Sequence, residues 1–526
     1  MTTVKKSPPR TGRSAFFVAA GILISRLAGL VRTRVFAHYF GLSDEADAFS
    51  AAFRIPNFLQ SLFGEGALSA SFIPVYAGLL ARADRREADR VAGAVASILA
   101  LVVSVLVLVG VLATPFFIDL LAWGFTGAKR DLTMQIVRVL FPGAGLLVLS
   151  AWCLGVLNSH HRFLLSYTAP VMWNAAMIAT LIAYGHSSLP ELAIKLAWGS
   201  VVGSALQLAV QLPIVIKLAP DLKLAFDLAS EHVRTVIRNF VPVFISRGVV
   251  QVSAYIDAVI ASLLPTGAVA GLTNAQLLYT LLVSLFGISV SAAELPAMSG
   301  TISADPTAAG AIRLRLNSGL RQIAFFVVPS AVAFIALGDV VAGALFVGGR
   351  FKPADAVYVW SILAGSGVGL LASTLGRLYS STYYALRDTR TPLRYALVRV
   401  ALTTILGYLF ALPLPRALGI SAVWGAAGLT ASAGIAGWVE MLMLRHTLNS
   451  RIGHTGLPVD YTIKLWGAAI AGAIVAWFMK LALPPMHPIL AAILILGPYG
   501  IVFLGATLVL RITEASAALS RIWRRI

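Results

Sequence analysis

The stretch AVASILALVVSVLVLVGVLA (94–113) contains no charged side chain from end to end. A helix needs about 20 apolar residues to cross the hydrocarbon of a bilayer, so this stretch alone predicts a transmembrane span. Comparable apolar runs with polar or Pro/Gly breaks occupy most of the chain, at about 15–40, 45–81, 91–120, 133–157, 164–184, 190–217, 240–264, 270–300, 322–347, 356–385, 392–414, 418–445, 462–483 and 488–511. The pattern predicts an all-α polytopic membrane protein with about 14 transmembrane helices.

The composition excludes several classes of protein. Of 526 residues, 58% are hydrophobic and 12% are charged, whereas soluble domains carry roughly 25% charged residues. A soluble enzyme, a disordered chain and a fibrous repeat are therefore excluded. The single cysteine, Cys153, allows neither an intrachain disulfide nor a CxxC metal site. No P-loop, HExxH or GxSxG motif occurs, so we expect a transporter or channel and not an enzyme.

The remaining charges indicate orientation. The net charge is +19, and the cations concentrate in alternate segments between apolar runs, which favours a membrane over a nucleic acid as the partner. The bias predicts that both termini are cytoplasmic. We expect two six-helix lobes around a central cavity, followed by two C-terminal helices. The predicted parts are a cytoplasmic tail (1–14), an N-lobe (15–217), a linker with an interfacial helix (218–239), a C-lobe (240–445), two further spans (446–511) and a basic cytoplasmic tail (512–526).

Charged side chains also occur inside the apolar runs. An ionised group at mid-membrane costs about 2.5 kcal/mol or more, so each such group predicts an interior cavity or a partner. The second run, 45–81, is too long for one crossing and is interrupted by proline and glycine, which predicts a bent helix lining a cavity. The charges in the first two runs are mostly arginines, which match phosphate or carboxylate oxygens bidentately and indicate an anionic substrate. The embedded charges are Arg26, Arg32, Arg34, Asp47, Arg54, Glu65, Arg138, Arg247, Asp257, Glu294, Arg377, Arg399 and Glu440.

Some of these charges have a simpler explanation. Arg34, Arg138 and Arg399 lie near predicted helix ends and can extend to the headgroups. Asp47 can act as a helix cap. Glu294 and Glu440 are better explained as structural partners of embedded cations.

Several motifs carry a resemblance to a known family. The stretches SRLAGLVRTRVFAHYFG (25–41) and DEADAFSAAFRIPNFLQSLFGEGALSASFIPV (44–75) resemble the start of the MurJ/MviN lipid II flippases, which belong to the multidrug/oligosaccharidyl-lipid/polysaccharide exporter superfamily. SAAELPAMS (291–299) and LYSSTYYALRDTRTP (378–392) are similar to later parts of the same family. The resemblance implies a multi-pass protein of the bacterial inner membrane that serves peptidoglycan synthesis, cell wall biogenesis and cell shape.

The resemblance also implies a substrate and its contacts. The substrate is lipid II, an undecaprenyl-diphosphate-linked disaccharide-pentapeptide, moved from the cytoplasmic to the outer leaflet by alternating access. The protein is expected to act as a monomer among membrane lipids, with no cofactor apart from a sodium ion. The family's substrate-binding residues match Arg26, Arg32, Asp47, Glu65 and Arg377. The family's sodium ligands match Asp257, Asp388 and Thr404, although Tyr384 stands where an asparagine is expected.

The chain departs from the family pattern at two places. Gln60 stands where many members have an arginine after the PN of the second span. In the eighth span, NAQLLYTL (274–281) has the uncharged Leu277 and Thr280 where many members carry an Arg and a Glu. Arg54 or Arg247 could substitute for these contacts. Two alternatives stay open: an O-antigen or other polysaccharide-lipid flippase, and a cation-coupled exporter of the same superfamily.

Overall fold

The structure, a computed structural model, describes residues 11–63, 67–304 and 309–517 and most of their side chains. The chain divides into two compact units, Met1–Val259 and Ile260–Ile526. The first unit contains α1 (Thr11–Phe40), α2 (Asp44–Phe63), α3 (Ser69–Ala81), α4 (Arg85–Leu112), α5 (Thr114–Leu121), α6 (Gly127–Ser159), α7 (Phe163–Thr168), α8 (Pro170–Tyr184), α9 (Leu189–Leu218) and most of α10 (Glu231–Ser262).

The second unit is also helical. It contains α11 (Ala268–Leu282), a π-helical turn (Val283–Ile288), α12 (Ser289–Ala304), α13 (Ala309–Phe346), α14 (Pro353–Ala385), α15 (Arg390–Ala411), α16 (Pro413–Ala417), a 3-10 turn (Ala422–Trp424), α17 (Gly425–Ile452), α18 (Val459–Ala482) and α19 (Pro488–Val509). Within the described ranges, 11 helices are long and apolar enough to cross a membrane. The predicted all-helical polytopic membrane protein is confirmed, while the count of about 14 spans stays a prediction.

The second apolar run contains two described helices. α2 ends at Phe63 and α3 begins at Ser69, and residues 64–66 lie outside the described ranges. Pro56 lies inside α2 and Pro74 inside α3. A proline removes one backbone hydrogen bond from a helix, which bends it.

The predicted interfacial helix over residues 218–239 is wrong in part. Residues 222–228 have no regular secondary structure, and α10 begins only at Glu231 and continues without a break to Ser262. Asp227 accounts for this start, because its carboxylate accepts hydrogen bonds from the backbone N–H groups of Ala229 and Ser230. The preceding segment is fixed to α4, where the Asp89 carboxylate accepts the backbone N–H of Asp221 at 3.1 Å and Arg90 pairs with Asp227 at 2.6 Å.

In the first unit, α6 packs against α2, α4 and α9, while α1 packs against α7 and α8. The core is lined by large side chains such as Phe72, Tyr76 and Trp152. A buried polar group lies between α6 and α9: Ser150 donates to the Gln211 side-chain oxygen at 2.6 Å and accepts from Gln207 at 2.9 Å. Polar contacts of this kind join helices in lipid, where apolar burial alone gives no preference for the protein partner.

In the second unit, α14 packs against both α13 and α17, and α15 packs against α17. α18 and α19 pack against each other and against α13. Gly369 and Gly434 make the closest approach between α14 and α17, because a Cβ on Gly369 would collide with the Cα of Gly434. Such small-residue crossings let two transmembrane helices come into backbone contact.

Candidate functional site

Arg32 of α1 lies between aromatic rings. Its guanidinium carbon is 4.8 Å from the centre of the Trp173 ring and 5.6 Å from that of Phe53. The rings themselves are stacked, with centroids 5.5 Å apart. Among the residues that the structure describes, no Asp or Glu forms an ion pair with Arg32. Cation–π contacts therefore hold this guanidinium in place without neutralising its charge.

Trp173 is itself fixed by its neighbours. Its indole N–H donates to the hydroxyl of Ser200 at 3.0 Å, and Ser200 is buried. On the other side, Phe53 stacks on Phe49, which contacts Phe36 of α1. The orientation of Arg32 is therefore set by three helices, α1, α2 and α8, and by the Ser200 hydroxyl of α9.

Arg26 precedes Arg32 on the same helix and is exposed. The two residues are six positions apart, which places them about 120° apart around the helix axis. Exposed apolar side chains surround Arg26 along the chain, among them Ile24 and Leu27. The structure thus places both predicted arginines on α1 but on different faces, with Arg32 alone among the aromatic rings.

Arg54 of α2 has an electrostatic partner in the same unit. It lies within electrostatic range of Tyr255 and Asp257 of α10, and the Tyr255 hydroxyl donates to the backbone oxygen of Arg54 at 2.7 Å. Phe58 packs edge-on against the Tyr255 ring at 5.5 Å. Arg54 therefore joins α2 to α10 through its side chain and its backbone.

Asp47 has a cation of its own. Its carboxylate, 1% exposed, is 2.7 Å from the ammonium of Lys129 at the start of α6. Lys129 also pairs with Asp44 at 2.9 Å and lies over the Phe125 ring. Asp47 lies in the first turn of α2, where a negative charge is stabilised by the helix dipole. Its surroundings are those of a structural ion pair between α2 and α6.

Arg377 is the exposed cation of α14. Its side chain passes Gly287 of the π-helical turn, where a Cβ would lie 3.6 Å from the Arg377 Cδ. Within the described ranges it forms no ion pair with a carboxylate. π-helical turns are rare and frequently lie at functional sites.

Two carboxylates were expected to be structural partners of cations, and both expectations are confirmed. Glu440 of α17 pairs with Arg399 of α15 at 3.1 Å, and Glu294 of α12 lies 3.7 Å from Arg315 of α13. The first contact also corrects the explanation of Arg399 as a side chain extending to the headgroups, because it turns to a carboxylate on the neighbouring helix.

Two of the predicted sodium ligands, Asp388 and Thr404, lie far apart. Asp388 precedes α15 and Thr404 lies well inside it, about 21 Å along the helix axis from Arg390. Asp388 instead binds Arg451 at 2.7 Å and accepts the hydroxyl and backbone N–H of Thr391, and these contacts lower the pKa of its carboxyl. The Thr404 hydroxyl donates to the backbone oxygen of Val400. A sodium ion shared by Asp388 and Thr404 is therefore excluded by this arrangement. Asp257 lies in the first unit, near Arg54.

Two predicted substrate residues fall outside the described part of the chain: Glu65, and the side chain of Arg247 on α10. In the part that is described, no group of three or more His, Cys, Asp or Glu side chains could hold a metal ion.

Phe53, Trp173, Ser200 and Lys129 were not predicted as site residues. A single sequence contains no signal that pairs an aromatic ring on α8 with an arginine on α1, since both lie in ordinary apolar runs. The sequence gives no sign that Lys129 pairs with Asp47, because the two residues are 82 positions apart.

Comparisons with known proteins give the family. The family model described as lipid II flippase MurJ matches residues 36–497. A curated lipid II flippase MurJ from Burkholderia cenocepacia is 32% identical over 468 residues, which cover 87% of this chain and 88% of the relative. A solved structure of lipid II flippase MurJ in an inward closed conformation matches with a TM-score of 0.76 at 24% identity, covering 94% of this chain and 98% of that one.

A more distant fold relative is an inward-facing multidrug resistance transporter of the MATE family and the MOP superfamily. It has a TM-score of 0.64 at 17% identity and covers 83% of this chain and 98% of the other. The family model covers most of the chain, and the Burkholderia relative is aligned along nearly all of its own length. By motif, fold and full-length similarity, this chain belongs to the MurJ family of lipid II flippases.

Proposed function

We propose that this protein moves lipid II from the cytoplasmic to the outer leaflet of the bacterial inner membrane, with the diphosphate of the substrate held by Arg32. The observation that supports this most directly is the guanidinium of Arg32, fixed by Trp173 and Phe53 with no ion-paired carboxylate among the described residues. As a member of the MurJ family, the protein is a multi-pass transporter of that membrane and not an enzyme.

The chemistry of the substrate explains why such an arginine is needed. A diphosphate cannot enter about 30 Å of hydrocarbon unless the protein replaces its hydration. A guanidinium offers several N–H donors in one plane and binds phosphate oxygens in pairs. The aromatic rings stabilise the cation when no anion is bound, without competing for its N–H donors.

The other predicted residues are assigned by their contacts. Arg26 and Arg377 are proposed as further substrate contacts, because both are exposed and neither forms an ion pair within the described part of the chain. Arg54 is proposed as a cation that α10 holds in position through Tyr255 and Asp257. Glu65 and Arg247 stay predictions from the family resemblance, and Asp47 is reassigned to the pair with Lys129.

The finer features of the architecture belong to the same proposal. They are about 14 spans, two six-helix lobes with two additional spans, cytoplasmic termini, a monomeric state and alternating access of the substrate site to the two membrane faces. The polyprenyl tail would stay in the lipid while the head is sheltered by the protein.

The decisive test is rescue of a bacterium whose own lipid II flippase can be depleted. Expression of this chain should restore growth and prevent lysis, and the empty vector should not. Purified protein in liposomes should also expose labelled lipid II on the opposite leaflet. An O-antigen flippase would fail to rescue and would spare growth when lost, and a cation-coupled exporter would confer drug resistance without rescue. Either outcome would contradict the proposal.

A further inference from the structure

The loop between α17 and α18, residues 453–458, is a rigid element of the second unit. The backbone N–H of Gly453 donates to the oxygen of Asn449 at 3.1 Å. The Asn449 side-chain oxygen accepts the backbone N–H of Thr455 at 2.8 Å and its hydroxyl at 2.6 Å. The backbone N–H of Gly456 donates to the side-chain oxygen of Asn317 on α13 at 3.0 Å. These contacts fix the path of the loop, which we name the glycine loop.

The two glycines of this loop make room for two arginines. A Cβ on Gly453 would lie 2.7 Å from Nη1 of Arg313, and a Cβ on Gly456 would lie 2.7 Å from Cζ of Arg445. Both glycines have positive φ angles, 86° and 126°, which other residues adopt only with strain. Arg445 is also anchored, since its Nε donates to the backbone oxygen of Thr455 at 2.8 Å. Each guanidinium therefore lies against a bare stretch of backbone.

These two arginines differ from their neighbours in charge balance. At the same end of the unit, Arg451 pairs with Asp388, Arg315 with Glu294 and Arg321 with Glu514. Arg313 and Arg445 form no ion pair with any carboxylate in the described ranges. Gly453 and Gly456 are three positions apart, so two cations without a carboxylate partner in the described part of the chain lie against the same short loop. That arrangement is unfavourable unless an anion offsets it.

We propose that the glycine loop, with Arg313 and Arg445, is a binding site for a phosphate or diphosphate group. Two guanidinium groups against one short loop match an anion with several oxygens, and both side chains keep N–H donors that the loop does not use. The loop N–H groups of Gly453, Thr455 and Gly456 are already engaged, so the anion would be bound by the arginines alone. The ligand comes either from a phospholipid headgroup in the adjacent leaflet or from a soluble phosphate compound.

Neither Arg313 nor Arg445 is among the proposed substrate contacts, which are Arg26, Arg32, Arg54 and Arg377. The test of this site therefore does not depend on transport. Full-length protein would be placed in nanodiscs of phosphatidylcholine, which carries no net charge. Binding would be measured with inorganic pyrophosphate by calorimetry and, separately, with phosphatidylglycerol introduced into the nanodiscs and followed by a fluorescent analogue. Binding of the lipid alone would identify a headgroup site, and binding of pyrophosphate alone a site for a soluble ligand.

The variants decide whether the binding belongs to this loop. Arg313→Gln with Arg445→Gln should weaken binding at least about tenfold, because each removes charge-assisted hydrogen bonds. The control, Arg390→Gln with Arg394→Gln, removes two exposed cations from α15 and should leave binding within about twofold. Equal weakening by both pairs, or no binding of either probe to the unmodified protein, would overturn the proposal.

A second pair of variants guards against loss of folding. Arg313→Lys with Arg445→Lys keeps both charges but removes the planar donor pairs, and it should also weaken binding about tenfold. The thermal unfolding midpoint of each variant would be measured beside its binding. Full binding by the lysine variant would show a diffuse charge effect and would contradict a built site.

Discussion

Charged side chains in the two units include cations with different kinds of partner. In the second unit, Arg399 pairs with Glu440, Arg451 with Asp388 and Lys480 with Asp339. In the first unit, Arg32 is surrounded by Phe53 and Trp173 instead. A cation with a carboxylate partner joins two helices. A cation held by aromatic rings stays available to an anion from outside.

Two ion pairs of the second unit follow one helix interface. Along α15 and α17, Asp388 binds Arg451, the Tyr395 hydroxyl lies 2.6 Å from that of Thr447, and Arg399 binds Glu440. Such polar contacts fix the register of two helices, because a shift of one turn would break all of them together. In the first unit, a comparable buried pair on α2 is that of Asp47 with Lys129. These paired charges of both units therefore serve construction, whereas Arg377, like Arg313 and Arg445, forms no ion pair within the described ranges.

The largest effect is expected from Arg32. Arg32→Ala should abolish rescue of flippase-depleted cells while leaving the protein in the membrane, because the diphosphate loses its main partner. Arg32→Lys should rescue poorly, since lysine keeps the charge but loses the planar donors and the ring contacts. The matched control is Arg399→Ala with Glu440→Ala, which removes a neutral pair and should retain rescue. Full rescue by Arg32→Ala would show that an arginine held by aromatic rings is no more important for transport than one paired with a carboxylate.

Arg377 is an exposed arginine of the second unit that forms no ion pair within the described ranges. Arg377→Ala should also abolish rescue at an unchanged membrane level, because this exposed arginine has no ion-pair partner among the described side chains. The control is Arg138→Ala: Arg138 is an exposed cation of α6 that we explain by contact with the headgroups. Growth curves and immunoblots of membranes measure both variants. Equal growth of the two strains would place Arg377 outside the substrate path.

The pair of Asp47 and Lys129 should affect stability more than transport. Lys129→Met leaves a buried carboxylate without its cation, which costs about 3 to 5 kcal/mol of unfolding free energy. The unfolding midpoint of purified protein would measure the loss. Combining Lys129→Met with Asp47→Asn should recover much of it, because no unpaired charge remains. If Asp47→Asn alone abolished transport without changing the unfolding midpoint, Asp47 would be a substrate contact and not a structural partner of Lys129.

The two units should also differ in their response to pH. His160, after α6, accepts or donates a hydrogen bond with the Tyr76 hydroxyl at 3.0 Å. Its burial, together with the cations Arg85 and Arg162 and the neighbouring His161, lowers its pKa. The unfolded chain then binds the proton more readily, so this contact loses stability as the pH falls below the ordinary histidine value of about 6.5.

Asp388 behaves differently over the same range. Thr391 and Arg451 lower the pKa of its carboxyl, so its contribution is complete above the ordinary aspartate value of about 3.9 and is lost only on stronger acidification. Between pH 7.5 and 5.5, the unfolding midpoint should therefore fall by a few degrees because of His160 and show no change from Asp388. His160→Gln should remove that dependence, whereas Asp388→Asn should lower the midpoint equally at both pH values. A pH dependence that survives in His160→Gln would refute the assignment.

Much of the fold could be predicted from the sequence, because hydrophobic length and the interruption of the run at 45–81 are local properties of the chain. The structure confirms a helical polytopic protein and places a proline inside each of α2 and α3. The secondary structure of the linker (218–239) was harder to predict, because an alternation of apolar residues such as Leu222 and Leu224 with charged residues does not require a helix. Its path is decided by distant partners, namely Asp89 and Arg90 of α4.

The candidate site could be predicted only in part. Residue type and depth indicated Arg26 and Arg377, since a cation in an apolar run requires an explanation, and the family resemblance indicated Arg32. Which residue neutralises a charge depends on tertiary contacts, as with Asp47 and the remote Lys129. The sodium ligands Asp388 and Thr404 were matched through the family resemblance, and an unbroken α15 holds these two residues apart.

The smallest effect is expected at the two uncharged positions of the eighth span. Leu277 is half-buried and Thr280 exposed on α11, and neither carries the charge that many family members have there. If anion binding depends on unpaired arginines such as Arg32, neither side chain should be needed. Leu277→Ala and Thr280→Val should therefore rescue growth as well as the unmodified chain does, in the same depletion assay as Arg32→Ala. Leu277→Arg is the more stringent variant, because it introduces the charge that many family members carry at this position. It should still permit rescue. Loss of rescue by Thr280→Val at a normal membrane level would show that this part of α11 contributes to function through contacts other than charge. Function would then not depend on unpaired arginines such as Arg32 alone.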